Sequence, residues 1–333
     1  MVAAMPRLSF RPAAAPCAAA ALALALGPAP AHAQLRIQVI PFETLTLTPQ
    51  QFLLGDSQGK PVTIAGELRL PHRGGDKLPA VVLVHGLAGA FMNVDEWARA
   101  LNGWGVAAFI LDSLSGRGIA AGSAEDLRLG GLVRTVDAYR ALALLAQHPR
   151  IDPDRIAVMG FSLGAAPAVL SSVERFRKLH GPPTAQFAAH IGLYAANCGV
   201  RYRDDEKVAA RPIRLFHGSA DDWTPIEPCR ALAARLKKAG ADVSLTEFPG
   251  AAHAYDRPDL KERVTLPQAV TLRNCSLAEG EGGRIVNTRT GSVFGPGDPC
   301  LEPGASIQYD EAATAGTRQG VKALLVSAFG LKP

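Results

Sequence analysis

Residues 156–170 read IAVMGFSLGAAPAVL. A short apolar run, of the kind that fills a buried parallel strand, stops at Gly160, and a small-residue helical pattern opens at Leu163. Between them stands Gly160-Phe161-Ser162-Leu163-Gly164, a G-x-S-x-G turn in strand–turn–helix context. The spacing has a steric reason. A chain that passes from strand to helix in so few residues brings the two backbones together, so the positions two before and two after the serine must lack side chains. The turn then holds the Ser162 hydroxyl at the carboxyl edge of a strand. The Leu163 N–H lies at a helix start, where unpaired donors and the helix dipole favour negative charge.

Working outward, Ala80–Val84 (AVVLV) and Val106–Leu111 (VAAFIL) are further buried-strand runs. Strand patterns also cover residues 62–70, 187–194, 213–216 and 242–248. Helical patterns cover 93–103, 124–147, 163–179, 225–238 and about 309–329. Strands alternating with helices predict an α/β fold with a mostly parallel central sheet and helices on both faces. Ligands bind such sheets at the carboxyl ends of the strands. One domain is expected over residues 34–333. A loop-rich excursion, residues 264–306, interrupts it with Gly, Pro, Asn and Thr and only weak strand signals.

A serine hydroxyl becomes a nucleophile when a base takes its proton. His253, in FPGAAH just past the last central strand, is the candidate base. The candidate acid is Asp221, after the strand IRLFHG, with Asp222 beside it as the alternative. The order Ser, Asp, His is that of the α/β-hydrolases, and all three residues follow strands, so they converge on one edge. In His85-Gly86-Leu87-Ala88-Gly89, the glycines let the backbone turn an N–H inward. Leu87 and Leu163 N–H groups are the expected pair of oxyanion donors. Arg117, in Ser113-Leu114-Ser115-Gly116-Arg117-Gly118, reads either as a contact for an anionic substrate or as a solvated loop arginine.

Composition narrows the function classes. The chain has 333 residues, 48% hydrophobic and 20% charged, enough to bury a large core. The net charge of +5 falls to +3 without Arg7 and Arg11, and no basic run is present, so neither nucleic acid nor an anionic membrane is an expected partner. Arg7 and Arg11, the apolar run Ala18–Leu26 and Ala31-His32-Ala33 read as a secretory signal over residues 1–33, cleaved after Ala33. The apolar run is too short to span a bilayer. Export to the periplasm or beyond follows, with no membrane span in the mature protein. The four remaining cysteines then suggest two disulfides. Of three pairings, Cys275–Cys300, within one excursion, and Cys198–Cys229, after adjacent strands, are favoured. No metal site is indicated, since no Cys/His cluster has zinc-ligand spacing.

The chain resembles the dienelactone hydrolase family of the α/β-hydrolase fold. The resemblance spans roughly residues 78–256 and the closing helix. It rests on AVVLVHGLAG, EWARALNGWGVAAFILDSLSGRG, VDAYRALALLAQHPRIDPDRIAVMGFSLGAA, LFHGSADDWTPIEPC and FPGAAHAYD. It implies a single-domain hydrolase of esters or lactones, without a cofactor, and supports Ser162, Asp221 and His253 as a triad. It also makes Cys198 and Cys229 look like a recurring pair of secreted members. There are two departures. Dienelactone hydrolases proper carry a cysteine nucleophile where Ser162 stands, and an acidic residue near the oxyanion loop where this chain has His85-Gly86. A serine carboxylesterase is therefore expected rather than an enzyme for dienelactone itself. The alternatives are a prolyl-oligopeptidase-like peptidase, for which no propeller-like segment precedes the fold, and a non-catalytic binding protein on a hydrolase scaffold. The sequence leaves oligomeric state open.

Overall fold

The computed structural model of the protein describes residues 36–72, 77–87, 89 and 92–331, which belong to one compact unit. The signal segment expected at 1–33 lies outside the described residues. In chain order the elements are β1 (Arg36–Thr46), α1 (Pro49–Leu54), β2 (Lys60–Leu70), β3 (Leu78–Val84), α2 (Met92–Gly103), β4 (Ala107–Asp112), α3 (Ala124–Ala146), β5 (Ile151–Phe161), α4 (Ala165–Leu170) and α5 (Glu174–His180). Then follow β6 (His190–Leu193), β7 (Val200–Arg201), β8 (Ile213–Gly218), α6 (Ile226–Lys238), β9 (Val243–Phe248), β10 (Val264–Thr271), β11 (Leu277–Glu279), β12 (Ile285–Asn287), β13 (Glu302–Ile307) and α7 (Glu311–Phe329).

Eight strands form the central sheet in the order β1-β2-β4-β3-β5-β6-β8-β9. From β4 to β9 all neighbours are parallel, while β2 runs antiparallel to both β1 and β4. The period of two along each strand sorts the core into two layers. Val81, Leu83, Ala108, Ile110, Ala157 and Met159 face α2 and α7, where Trp97, Leu101, Leu324 and Leu325 meet them. Ala80, Val82, Phe109, Leu111, Ile156 and Val158 face α3, against Tyr139, Leu142 and Leu145. Every residue of β3 is buried, which is why this strand reads as an unbroken apolar run. The α/β architecture expected from the sequence is the one observed.

Several boundaries differ from expectation, each for a physical reason. The edge strand β1 goes unrecognised because Pro41 interrupts it and Ile37 and Val39 face solvent. Proline is tolerated there because an edge strand has one unpaired side. The helix expected over 163–179 ends at Leu170 and restarts at Glu174. Between them the Ser172 hydroxyl donates to the Val169 carbonyl at 2.6 Å, Ala209 N–H to the Ser172 carbonyl and Glu174 N–H to the Lys207 carbonyl, so side chain and neighbouring backbone outcompete the helix ladder. The strand before the serine starts earlier than expected, at Ile151, and the one expected over 187–194 is shortened to His190–Leu193. The excursion is not a plain loop. β10 and β13 pair as an antiparallel ribbon, and β11 lies between β12 and β7 in a small second sheet. Disulfides Cys198–Cys229 and Cys275–Cys300 are both present.

Candidate functional site

The elbow after β5 carries Ser162 at φ 52°, in the left-handed region, where a side chain costs energy. Its glycines answer to contacts. A Cβ on Gly160 would stand 1.8 Å from the Gly164 carbonyl oxygen, and one on Gly164 would stand 2.2 Å from the Val84 and His85 carbonyl oxygens. The first contact lets the chain double back and the second lets β3 pass beneath the elbow. Ser162 remains half exposed at the end of the turn.

His253 follows β9 through Gly250 (φ 76°) and precedes Ala254 (φ 57°). Its Nε2 lies 3.0 Å from Ser162 Oγ, and its Nδ1 2.8 Å from Asp221 Oδ2. Asp221, beyond β8, is fixed by its own loop. Its Oδ1 accepts the N–H groups of Trp223 at 3.0 Å and Thr224 at 2.8 Å, an Asx-type turn. Three side chains thus meet from three strand ends. Among the described residues, three of the four non-glycine positions with positive φ, namely Ser162, Tyr194 and Ala254, lie in or beside this cluster.

The geometry separates the two adjacent acids. Asp222 turns away from the imidazole and accepts Ser306 N–H at 2.8 Å and the Ser306 hydroxyl at 2.7 Å. Asp221 is buried. Burial alone would raise its pKa, but the facing His253 and the hydrogen bond from His217 outweigh that cost and hold the carboxyl far below the usual carboxylate range.

The second expected donor loop lies against the elbow. A Cβ on Gly86 would come within 3.0 Å of the Phe161 carbonyl oxygen and 3.2 Å of Ser162 Cβ. This puts the half-buried Leu87, next in the chain, beside the serine turn that Leu163 continues. His85 Nδ1 donates to the Gly86 carbonyl at 2.8 Å, while its Nε2 accepts Ser113 N–H at 3.4 Å. Burial pushes the His85 pKa down, and the nearby Arg134 pushes it further, so the ring is a neutral strut for this loop.

Arg117 is not a substrate contact. Its guanidinium pairs with both oxygens of Asp137 at 2.8 Å, and donates to Thr46 Oγ1 at 2.9 Å and to the Ser113 carbonyl at 2.7 Å. With 4% of the side chain exposed, every direction is committed to joining β1, α3 and the loop after β4.

Sequence reasoning missed five residues around this cluster. Thr224 Oγ1 stands 2.9 Å from Asp221 Oδ2, 3.1 Å from His253 Nδ1 and 3.2 Å from the Tyr194 carbonyl oxygen. His217 Nε2 donates to the Thr224 carbonyl at 2.6 Å. The Tyr194 and Trp223 rings pack on the imidazole, with centroids 4.8 and 5.0 Å away. Behind Tyr194 lies Asp256, fully buried, accepting from the Tyr194 hydroxyl at 2.8 Å, Trp97 Nε1 at 2.8 Å and Asn93 Nδ2 at 3.4 Å. Burial raises its pKa despite these donors. His217 and Trp223-Thr224, within four residues of the acid, offered a local signal. The side chains of Tyr194 and Asp256 offer none, because the side chains they bond are more than fifty residues away.

A doubly covered sheet with a serine elbow after its central strand defines the α/β-hydrolase fold. Within that class, the model of the dienelactone hydrolase family matches residues 64–272, and the chain belongs to that family. An uncharacterised protein of Mycobacterium tuberculosis is 30% identical over 217 residues, covering 60% of this chain and 71% of that one. Among solved structures, the dienelactone hydrolase-like promiscuous phosphotriesterase P91 from metagenomic libraries superposes with a TM-score of 0.55 at 16% identity, over 87% of this chain and 98% of that one. The thermophilic esterase Est2 of Thermogutta terrifontis does so with a TM-score of 0.52 at 19% identity, over 81% and 90%. At such identities the likeness is one of fold. Among the described residues no group of His, Cys, Asp and Glu could hold a metal ion, and no helix is long and apolar enough to cross a membrane.

Proposed function

We propose that the protein is a serine hydrolase that cleaves carboxylic esters or lactones through an acyl-enzyme on Ser162. His253 Nε2 takes the Ser162 proton as Oγ attacks the substrate carbonyl. Asp221 holds the imidazole in the tautomer that leaves Nε2 free, and stabilises its charge once protonated. The N–H groups of Leu87 and Leu163 receive the oxyanion, each worth about 3–4 kcal/mol in the transition state. His253 then protonates the departing alkoxide, and water repeats the sequence to release the acid.

The observation that carries this reading is the unbroken chain from Ser162 Oγ through His253 to Asp221, with steps of 3.0 and 2.8 Å. The position of Ser162 on a strained, half-exposed turn adds to it. In the decisive experiment, Ser162→Ala lowers turnover of a short p-nitrophenyl ester by at least about 10³-fold and no longer takes a fluorophosphonate label that the wild type does. Undiminished turnover in that variant overturns the mechanism. Cleavage of a fluorogenic peptide panel in preference to esters would move the assignment to a peptidase. Two disulfides and the leader-like first 33 residues support export to the periplasm or beyond. An exported protein whose N-terminus is Gln34 is the expected result of N-terminal sequencing.

A further inference from the structure

The proposed chemistry fixes where a substrate's alcohol must lie. His253 Nε2 has to protonate the leaving oxygen, so that oxygen sits within hydrogen-bond reach of Nε2 and its substituent extends along a flank of the imidazole. Two rings pack on that imidazole. Tyr194 is 2% exposed and bonded to Asp256 behind it, so its surroundings are filled. Trp223 is only half buried, with its ring 5.0 Å from the imidazole and tilted by 48°. The open flank is therefore walled by an indole face.

The indole is held in place from the excursion. Trp223 Nε1 donates to the Val270 carbonyl on β10 at 3.1 Å, and the residue before it is tied to Ser306 on β13 through its carboxylate. The His253 carbonyl accepts Gln308 N–H at 3.2 Å. Arg273 donates to the Asp222 carbonyl at 3.2 Å and to the Gly304 carbonyl at 3.1 Å. The ribbon of β10 and β13 thus carries both the tryptophan and the loops of the acid and base. At and just past the anchor, Val270 and Leu272 are 41% and 38% exposed, apolar side chains left in water.

We propose that Trp223, backed by the β10–β13 ribbon, is the leaving-group wall of the site, and that the preferred substrates are esters of bulky apolar alcohols. This rests on the serine-hydrolase reading above. An alcohol with an aryl or branched alkyl group covers the indole face and gains the free energy of removing apolar surface from water, which a methyl ester lacks. By microscopic reversibility the same wall binds an alcohol that attacks the acyl-enzyme. The alcohol oxygen bonds to the acyl carbon, its proton passes to His253 and on to the departing Ser162 Oγ, and a new ester leaves.

The test uses one acyl-enzyme and two competing alcohols. p-Nitrophenyl acetate generates the acetyl-enzyme in the presence of benzyl alcohol or methanol, and the benzyl acetate or methyl acetate formed is measured against acetate. This ratio is internal to each preparation, so a loss of overall activity does not move it. The wild type is expected to prefer benzyl alcohol over methanol at least tenfold per mole. Trp223→Ala is expected to lose that preference, and Trp223→Phe, which keeps a ring but not the N–H donor, to retain most of it. A wild type that hydrolyses the ester but shows no benzyl preference overturns the inference alone, as does a Trp223→Ala enzyme whose preference is unchanged. Where Trp223→Ala yields no folded enzyme, the wild-type preference and Trp223→Phe decide the matter. A wild type with no Ser162-dependent hydrolysis of any ester overturns the underlying reading instead.

Discussion

Gly164 shows how closely the candidate site is written into single residues. A methyl group there would meet two carbonyl oxygens of the strand and loop passing beneath it, at 2.2 Å. Backbone cannot yield as a flexible side chain does, so Gly164→Ala is expected to destabilise the fold by about 3 kcal/mol or more, read from urea denaturation. Asp221→Asn tests the electrostatics instead. The amide fits the loop but presents the wrong partner to His253 Nδ1, and a loss in kcat of about 10⁴-fold is expected with little change in KM. Ser162 and His253 were legible in the sequence because a steric rule and a chain order mark them. Asp221 is favoured over Asp222 by its place three residues after Gly218, but adjacency hides direction. The Asx turn that points Asp221 inward, and Ser306, 84 residues from Asp222 and bonded to it, separate them in space. Arg117 is not legible either, because a loop arginine that binds substrate and one that pairs with a buried aspartate on the following helix look identical until Asp137 is placed beside it.

At the scale of elements, what could be read followed what is local. The all-buried strands announce themselves as unbroken apolar runs and the long helices by their period. The excursion does not, because β11 and β12 have three residues each and lie among glycines, too short to show alternation. Its order comes from distant partners. The side chain of Glu279 is fully buried between Arg175, at 2.6 Å, and Arg203, at 2.7 Å, Asp222 receives Ser306, and Cys275–Cys300 closes 25 residues. In the chain-entropy model that bridge contributes about 3.5 kcal/mol. The double variant Cys275→Ser/Cys300→Ser is accordingly expected to lose up to that amount in denaturation. It is also expected to be cut between residues 276 and 299 by trypsin at concentrations that leave the wild type intact. Equal protease resistance would show that the ion pairs alone order the segment. The other bridge, Cys198–Cys229, ties the loop after β6, whose Ala196 N–H donates to the Ser162 carbonyl, to the first turns of α6 just beyond Asp221. The two disulfides therefore brace different sides of one site.

Over the whole molecule, two buried carboxyls near the same histidine bend the stability curve in opposite directions. Asp221 has a folded-state pKa far below its unfolded one, because His253 and His217 face it against the cost of burial. Its stabilisation is fully present above the ordinary carboxylate range, near pH 4, and is lost as pH falls below that. Asp256 is the reverse. Burial raises its folded-state pKa, so the folded state resists its ionisation and loses stability as pH rises from about 4 through the raised value. Substitution by asparagine removes each titration separately. The stability gap between wild type and Asp221→Asn is expected to widen between about pH 3 and pH 5, because only the wild type gains as its carboxylate forms. The gap between wild type and Asp256→Asn is expected to be largest at acid pH and to narrow as pH rises, because only the wild type then loses. A residual gap of about 1–3 kcal/mol is expected at high pH, since an amide in that pocket leaves one of the donors from Tyr194, Trp97 or Asn93 without an acceptor. Urea midpoints measured for the three proteins from pH 3 to pH 8 decide this. Parallel curves for wild type and Asp256→Asn would mean that Asp256 titrates as it does in the unfolded chain, and that its burial is compensated in full by its three donors.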